Sequence, residues 1–328
     1  MIASSSTPSG AGGGAPRVAV SIILATNRES PFLEEALRSV RKQTFHDWEL
    51  LVVDNGAPDT SSIERLITGD ERMAMISIDA SATAGVARNV GVSNTSGELI
   101  TFLDDDDVWR EDRLERHLRA HAAHQDAPAT FSGYWHMDGD GRRFGTDWTS
   151  RQTSAEEMFS GAAETPLGPT LVIRRSDYLA VGGFSAEIPI LVDFEFALRL
   201  ALRGDLIYLE EVLVGYRRHS SNMTSTAPAN ALLRRRAMED MIDRQRWAAA
   251  GRGNATVSQL FGERLRRFRR NEARVAGVAV LRLLRRRDFR HAWREASWGL
   301  TRAPGTFVVA AVSAPVAKAR ASLRRSAP

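Results

Sequence analysis

Between residues 18 and 124 the chain alternates short apolar runs with amphipathic stretches. VAVSIIL (18–24), ELLVVD (49–54), MAMISI (73–78) and ELITFLD (98–104) are nearly continuous apolar segments, as expected of strands buried on both faces. Each is followed by a stretch with helical spacing: 31–43, with Pro31 near the first helical position and Ser30 as cap, then 59–69, 85–96 and 113–124. Four strand–helix steps predict an α/β fold with a mostly parallel central sheet flanked by helices. Ligands bind such sheets at the carboxyl ends of the strands, where Asn27, Asp54 and the Asp104–Asp107 block all fall.

The rhythm changes after residue 127. FSGYWHMD (131–138) and TLVIR (170–174) read as strands, 193–204 as a helix stopped by Gly204, and 206–219 as extended. Turn-like breaks at 221–230 and 248–256 bound a tail with helical stretches at 231–247, 257–287 and 288–298. The apolar run at 307–312 is too short to span a bilayer. Residues 1–16, rich in Ser, Gly and Pro, read as a disordered leader without the apolar core of a signal peptide. The expected organisation is therefore a leader (1–16), a catalytic domain (17–230) with a first half at 17–127 and a second at 128–230, and a basic helical extension (231–328).

Charge sharpens that division. The net +4 over 328 residues conceals 21 basic and 33 acidic side chains in 1–230, against 23 basic and 7 acidic in 231–328. All the basic residues are arginine except Lys42 and Lys318. An arginine-laced helical tail suits either packing against the acidic body or peripheral contact with an anionic membrane surface. Nucleic acid is not an expected partner, because no reading motif or aromatic interleaving accompanies the basic residues. The absence of cysteine excludes a disulfide scaffold and thiolate metal sites.

The strongest chemical signal is TFLDDDDVW (101–109). Four adjacent carboxylates repel one another, and a hard divalent cation such as Mg²⁺ or Mn²⁺ removes that cost while bridging to phosphate oxygens. A solvated acidic helix start is the structural alternative. In extended geometry Asp104 and Asp106 share one side and Asp105 takes the other. Arg88 and Asn89, in GVARNVG (85–91), begin a helix facing the same crevice, where an arginine can neutralise a diphosphate. Asp54 suits either a nucleoside hydrogen bond or a cap on the next turn, and Asn27 and Arg28 are open between nucleotide contact and turn chemistry. Asp193 fits a helix-opening acid or a general base, with Glu195 as competitor. Arg217 and His219 in GYRRHS are further candidates, His219 for a metal or phosphate. His46, His117, His121, His124, His136 and His291 read as surface residues.

Taken in order, the TNR segment after strand one, VVDNG, GVARN, LDDDD-W, GGF (182–184), Asp193 and YRRH resemble the family 2 glycosyltransferases of GT-A fold, over roughly residues 17–220. That resemblance implies inverting sugar transfer from a nucleotide-diphosphate sugar, with a UDP-sugar favoured, and a divalent Mn²⁺ or Mg²⁺. It implies a donor site at Ala25, Asn27, Arg28, Asp54, Arg88, Asp104, Asp105 and Arg217. The metal would fall to Asp104, Asp106, Asp107 and His219, and the base to Asp193. Three departures stand out: ILATNR lacks an aromatic residue near the base, Asn55 replaces a second acid, and Val192 precedes Asp193 where a glutamate is usual. A sugar nucleotidyltransferase and an inactive nucleotide-sugar-binding module are the competing readings. The acceptor (lipid-linked, polysaccharide or small metabolite) stays open, and the expected location is cytoplasmic, with or without contact at the inner face of the membrane.

Overall fold

The computed structural model describes residues 18–187, 191–220, 222 and 228–311. The expected leader and most of the 221–230 break lie outside them. β1 (Val20–Thr26), α1 (Leu33–Arg41), β2 (Trp48–Asp54), α2 (Ser61–Ile67), β3 (Met73–Ser77), α3 (Ala84–Ser93) and β4 (Leu99–Asp104) follow the alternation read from the sequence. Next come β5 (Val108–Trp109), α4 (Arg113–Ala123), β6 (Ala129–Met137), β7 (Arg143–Trp148), α5 (Ala155–Ser160), a 3-10 turn (Gly168–Thr170), β8 (Leu171–Arg174) and α6 (Arg175–Ala180). α7 (Val192–Ala201), β9 (Ile207–Arg217), α8 (Pro228–Gly251), α9 (Ala255–Arg285) and α10 (Phe289–Arg302) complete them.

One nine-stranded sheet runs β3-β2-β1-β4-β8-β6-β9-β5, with β7 on β6. β3, β2, β1 and β4 are mutually parallel, and β6 is parallel to β9. The ladders β4–β8, β6–β8, β6–β7 and β5–β9 are antiparallel, so the parallel character expected of the whole sheet belongs to its first half and the sheet is mixed. Register aligns the ends of the first strands: Thr26 pairs with Asp54 and Ala25 with Asp104.

Alternate strand side chains feed two cores. Ile22, Leu24, Leu50, Val52 and Leu103 join Leu33, Leu37 and Val40 of α1 on one face. Ile23, Leu51, Val53, Ile100 and Phe102 join α3 and Phe196 and Leu200 of α7 on the other. α1 begins two residues later than Pro31, because Ser30 donates to the Asp105 carbonyl (2.9 Å) and accepts from the Phe32 N–H (3.3 Å). Ser30 thus ties a loop to the acid block instead of capping a helix.

The second core also takes Met241, Ile242, Phe261 and Leu265 from α8 and α9. Phe261 meets Phe159 at 5.2 Å between ring centroids, Gln245 donates to Glu195 (2.7 Å), and Arg264 donates to the Met158 carbonyl. The tail is held by apolar contact and hydrogen bonds. Most of its acids pair internally, as in Arg235 with Glu272 and Glu295, and Arg269 and Arg302 with Glu239.

Two histidines expected at the surface are buried. His117 Nδ1 meets Thr130 Oγ1 (2.7 Å) and His121 Nε2 meets the Val172 carbonyl (3.0 Å), because that face of α4 lies on β6 and β8. Burial pushes His121 down to about 4 and His117 well below its ordinary value. The unfolded chain binds these protons near pH 6.5 and the folded chain does not, so stability is full above pH 6.5 and is lost as pH falls toward 4. For His121 alone the loss reaches about 3 kcal/mol by pH 4. Thermal melts between pH 7.5 and 4.5 should show this decline, and His121→Gln should flatten it; an unchanged slope would remove His121 as its source.

Candidate active site

The aligned ends of β1, β2 and β4 place Thr26, Asp54 and Asp104 side by side at one end of the sheet. After Asp104 the chain turns, with the Asp107 N–H on the Asp104 carbonyl (3.2 Å). This turn overrides the alternation expected of extended aspartates. Asp105 accepts from Thr26 Oγ1 (2.6 Å) and from Arg28 Nε and Nη2 (3.1 and 2.6 Å). Asp106 Oδ2 accepts from the same Arg28 Nη2 (2.8 Å) and lies 2.9 Å from His219 Nε2. Asp105 and Asp106 therefore share one guanidinium, and the Asp105 hydrogen bond foremost holds Arg28 above its ordinary range.

Asp104 faces elsewhere. Arg88, in the first turns of α3, donates from Nη2 to Asp104 Oδ1 (2.8 Å) and from Nη1 to Asp193 Oδ1 (2.7 Å). Burial opposes its charge, but Asp193 and Asp104 outweigh burial and raise its pKa. Burial also pushes the Asp104 carboxyl up to about 6, with Arg88 opposing and Asp106 and Asp193 adding. Asp107 is fully buried and pushed well above the usual carboxylate range, first by burial and then by Asp104 and Asp106. Its Oδ1 accepts from the Arg217 N–H (3.0 Å), and its Oδ2 has no partner among the described residues.

Asp193 lies in the first turn of α7, where the helix dipole favours an acid. Leu191, just before the helix, takes a left-handed conformation (φ 64°). Opposite stands Gly168: a Cβ there would lie 2.9 Å from Asp193 Cγ, so only glycine leaves room for the carboxylate. Arg113 fixes this turn by donating to the Pro169 carbonyl (2.9 Å). Glu195, the competing base, is buried on Arg199 (2.6 and 2.7 Å) and Gln245.

Asn89 joins α3 to the GGF turn. Its amide donates to the Phe184 carbonyl (2.8 Å) and accepts from the Phe184 N–H (2.8 Å) and Tyr178 Oη (2.5 Å). Gly183, at φ 64°, lets the turn approach, since a Cβ would lie 2.6 Å from Asn89 Oδ1. The remaining candidates divide. Asp54 Oδ1 caps its turn by accepting from the Gly56 and Ala57 N–H groups (3.0 and 2.7 Å). Asn55 Nδ2 donates to the Ala82 carbonyl (2.9 Å), and the Asn27 side chain is exposed. Arg217 is fully buried behind the acid block, donating to the Asp106 carbonyl (2.8 Å) and Glu35 (2.5 Å), with its guanidinium 4.5 Å from the Phe32 ring. Thr26, Asn89, Gly168 and Arg113 are roles the sequence reading did not assign. The GVARN and GG motifs gave a trace of the Asn89–Gly183 pairing, and nothing local marked Gly168.

The donor types fit a hard divalent cation: carboxylates at Asp104, Asp106 and Asp107, beside an imidazole. The unpartnered, buried Asp107 Oδ2 and the raised Asp104 are groups that a cation would relieve. Among the described residues, no three acidic or imidazole groups converge as a preformed cage, because Arg28 and Arg88 hold the carboxylates.

Residues 21–180 match the sequence model described as glycosyl transferase family 2. UDP-Glc:alpha-D-GlcNAc-diphosphoundecaprenol beta-1,3-glucosyltransferase WfgD of Escherichia coli is 34% identical over 99 residues, 30% of this chain and 39% of that protein. Glycosyltransferase GlyG of Streptococcus pneumoniae is 26% identical over 141 residues, 42% of this chain and 46% of that protein. The chain thus spans about half or less of the curated relatives it matches. Among solved structures, S. aureus TarS 1–349 in complex with UDP-GlcNAc superposes with a TM-score of 0.59 at 19% identity, covering 76% of this chain and 72% of that one. The shared fold is GT-A.

Proposed function

We propose that this chain, which carries a family 2 glycosyltransferase domain over residues 21–180, transfers a sugar from a UDP-sugar to an acceptor hydroxyl with inversion at the anomeric carbon. The observation that carries the reading is the Arg88 bridge: one guanidinium spans the acid at the end of β4 and the acid opening α7. A diphosphate at the strand ends would meet Arg88, while Asp193 faces the acceptor side as general base. Aspartate is a weak base toward a hydroxyl, so the proton moves to Asp193 late, as the new C–O bond forms and UDP departs. Arg88 stabilises the charge developing on the leaving diphosphate. Mn²⁺ or Mg²⁺ would be held by Asp104 and Asp106, with Asp107 and His219 adjoining, and would neutralise that diphosphate when bound.

TarS has been crystallised with UDP-GlcNAc, and WfgD is named for UDP-Glc and a diphosphoundecaprenol acceptor. Both favour a uridine donor here, and WfgD favours a lipid-linked acceptor. The test is a screen of nucleotide sugars with and without Mn²⁺, read by mass spectrometry. UDP release that EDTA suppresses is the expected outcome. Pyrophosphate release from a sugar phosphate and a nucleoside triphosphate would replace the reading with a nucleotidyltransferase, and UDP binding without turnover would leave a binding module.

A further inference from the structure

α10 carries two opposed stripes. Ala292, Glu295, Trp298 and Gly299 are buried, with Glu295 on Arg235 (2.5 Å). On the other side Phe289, Trp293 and Leu300 recur at helical spacing and stand 64%, 74% and 46% exposed. Leu284, at the end of α9 where the chain turns into α10, is 44% exposed as well. Residues of this size belong in a core or against a partner.

The polar residues around that stripe indicate the partner. Arg282, Arg285, Arg286, Arg287, Arg290 and Arg294 are all exposed; among the described residues only Arg290 feels a nearby carboxylate, Asp288, and that one is shared with His291. The two acids of this stretch are already engaged, Glu295 by Arg235 and Asp288 by His291 (2.8 Å) at the start of α10. Elsewhere arginines mostly find acids, as Arg28, Arg88 and Arg235 do. Residues 312–328 add four further basic side chains and no acid.

We propose that the α9–α10 hairpin tip is a docking surface for an anionic bilayer, with Phe289 and Trp293 entering the headgroup–acyl boundary and the arginines on lipid phosphates. Trp293 and the arginine stems suit this boundary, each with an apolar body and a polar or charged end, and Phe289 adds apolar area. A second copy of the chain is a poorer occupant, since a two-fold contact sets the same exposed arginines against one another. No helix among the described residues is long and apolar enough to cross a membrane, so contact through this tip is peripheral. The inference is independent of the sugar donor and of the base.

The test is flotation of the full chain with vesicles of phosphatidylcholine containing about 30 mol% phosphatidylglycerol, against phosphatidylcholine alone, at about 0.1 M NaCl. Wild type should partition at least about tenfold better to the anionic vesicles, and about 1 M NaCl should remove most of that preference. The exposed double substitution F289S/W293S should lower partitioning by about tenfold, and R286E/R287E/R290E should abolish it. Both variants should keep the wild-type melting temperature and UDP affinity. Equal partitioning to the two vesicle types overturns the proposal, as does a double variant that floats like wild type. So does a wild-type dimer in sedimentation velocity that F289S/W293S converts to monomer.

Discussion

Asp193→Asn is expected to slow sugar transfer by at least about 100-fold while leaving UDP affinity within about twofold. Asparagine keeps the shape of the side chain and an oxygen for Arg88 Nη1, so the bridge at 2.7 Å and the start of α7 persist. What it removes is the ability to take a proton. Initial rates of UDP release and calorimetric titration with UDP separate the two effects. Turnover like wild type would dismiss Asp193 as the base, and Glu195 could not replace it while Arg199 and Gln245 hold its carboxylate. Gly168→Ala makes the companion case from the opposite wall. The new methyl would stand 2.9 Å from Asp193 Cγ on a turn that Arg113 prevents from retreating. Displacing the carboxylate by even a fraction of an ångström should lower kcat by about tenfold with KM for the donor unchanged.

Arg88→Met should act on stability and donor binding together. It strips Asp104 and Asp193 of their shared counter-charge, and removing one member of a buried ion pair typically costs about 3–5 kcal/mol. Asp104 is one-third open to solvent, which moderates the loss to roughly 2–3 kcal/mol. UDP affinity should fall by about 10- to 100-fold, since the forked donor proposed to meet the diphosphate is gone. Arg88→Lys restores a charge but cannot reach both carboxylates from one ammonium, so it should recover part of the stability and little of the transfer rate. Urea unfolding and UDP titration of the two variants decide the matter. Reduced stability with unchanged UDP affinity would make Arg88 a purely structural bridge.

The parallel half of the fold was legible because β1, β2 and β4 are buried on both faces and, with the half-exposed edge strand β3, appear as apolar runs. β7, α5 and α6 were not. β7 is a largely exposed hairpin strand without apolar alternation, and both helices are only six residues long. The acids of the site were visible from their place after an apolar strand. Their partners were not, because Arg28 and Arg217 stand 77 and 110 residues from the aspartates they engage and only the topology brings them together. The sequence pointed to a cation and an arginine as what makes four adjacent aspartates tolerable, whereas Arg28, Arg88, the Arg217 N–H and His219 all contact them. His117 and His121 were misjudged for a related reason: a helix rich in arginine and histidine gives no local sign that one of its faces lies against a sheet.

The 110-residue gap between Asp107 and Arg217 also has a meaning in time. A ribosome adds about 5–20 residues per second, so the acid block is synthesised roughly 5–20 s before the arginine that sits behind it. In that interval β1 to β4 are complete and can pair, but β5, which among the described residues pairs only with β9, has no strand partner. The nascent chain therefore holds a paired parallel sheet beside an unfinished acidic turn. The last strand to be made is the one that closes it.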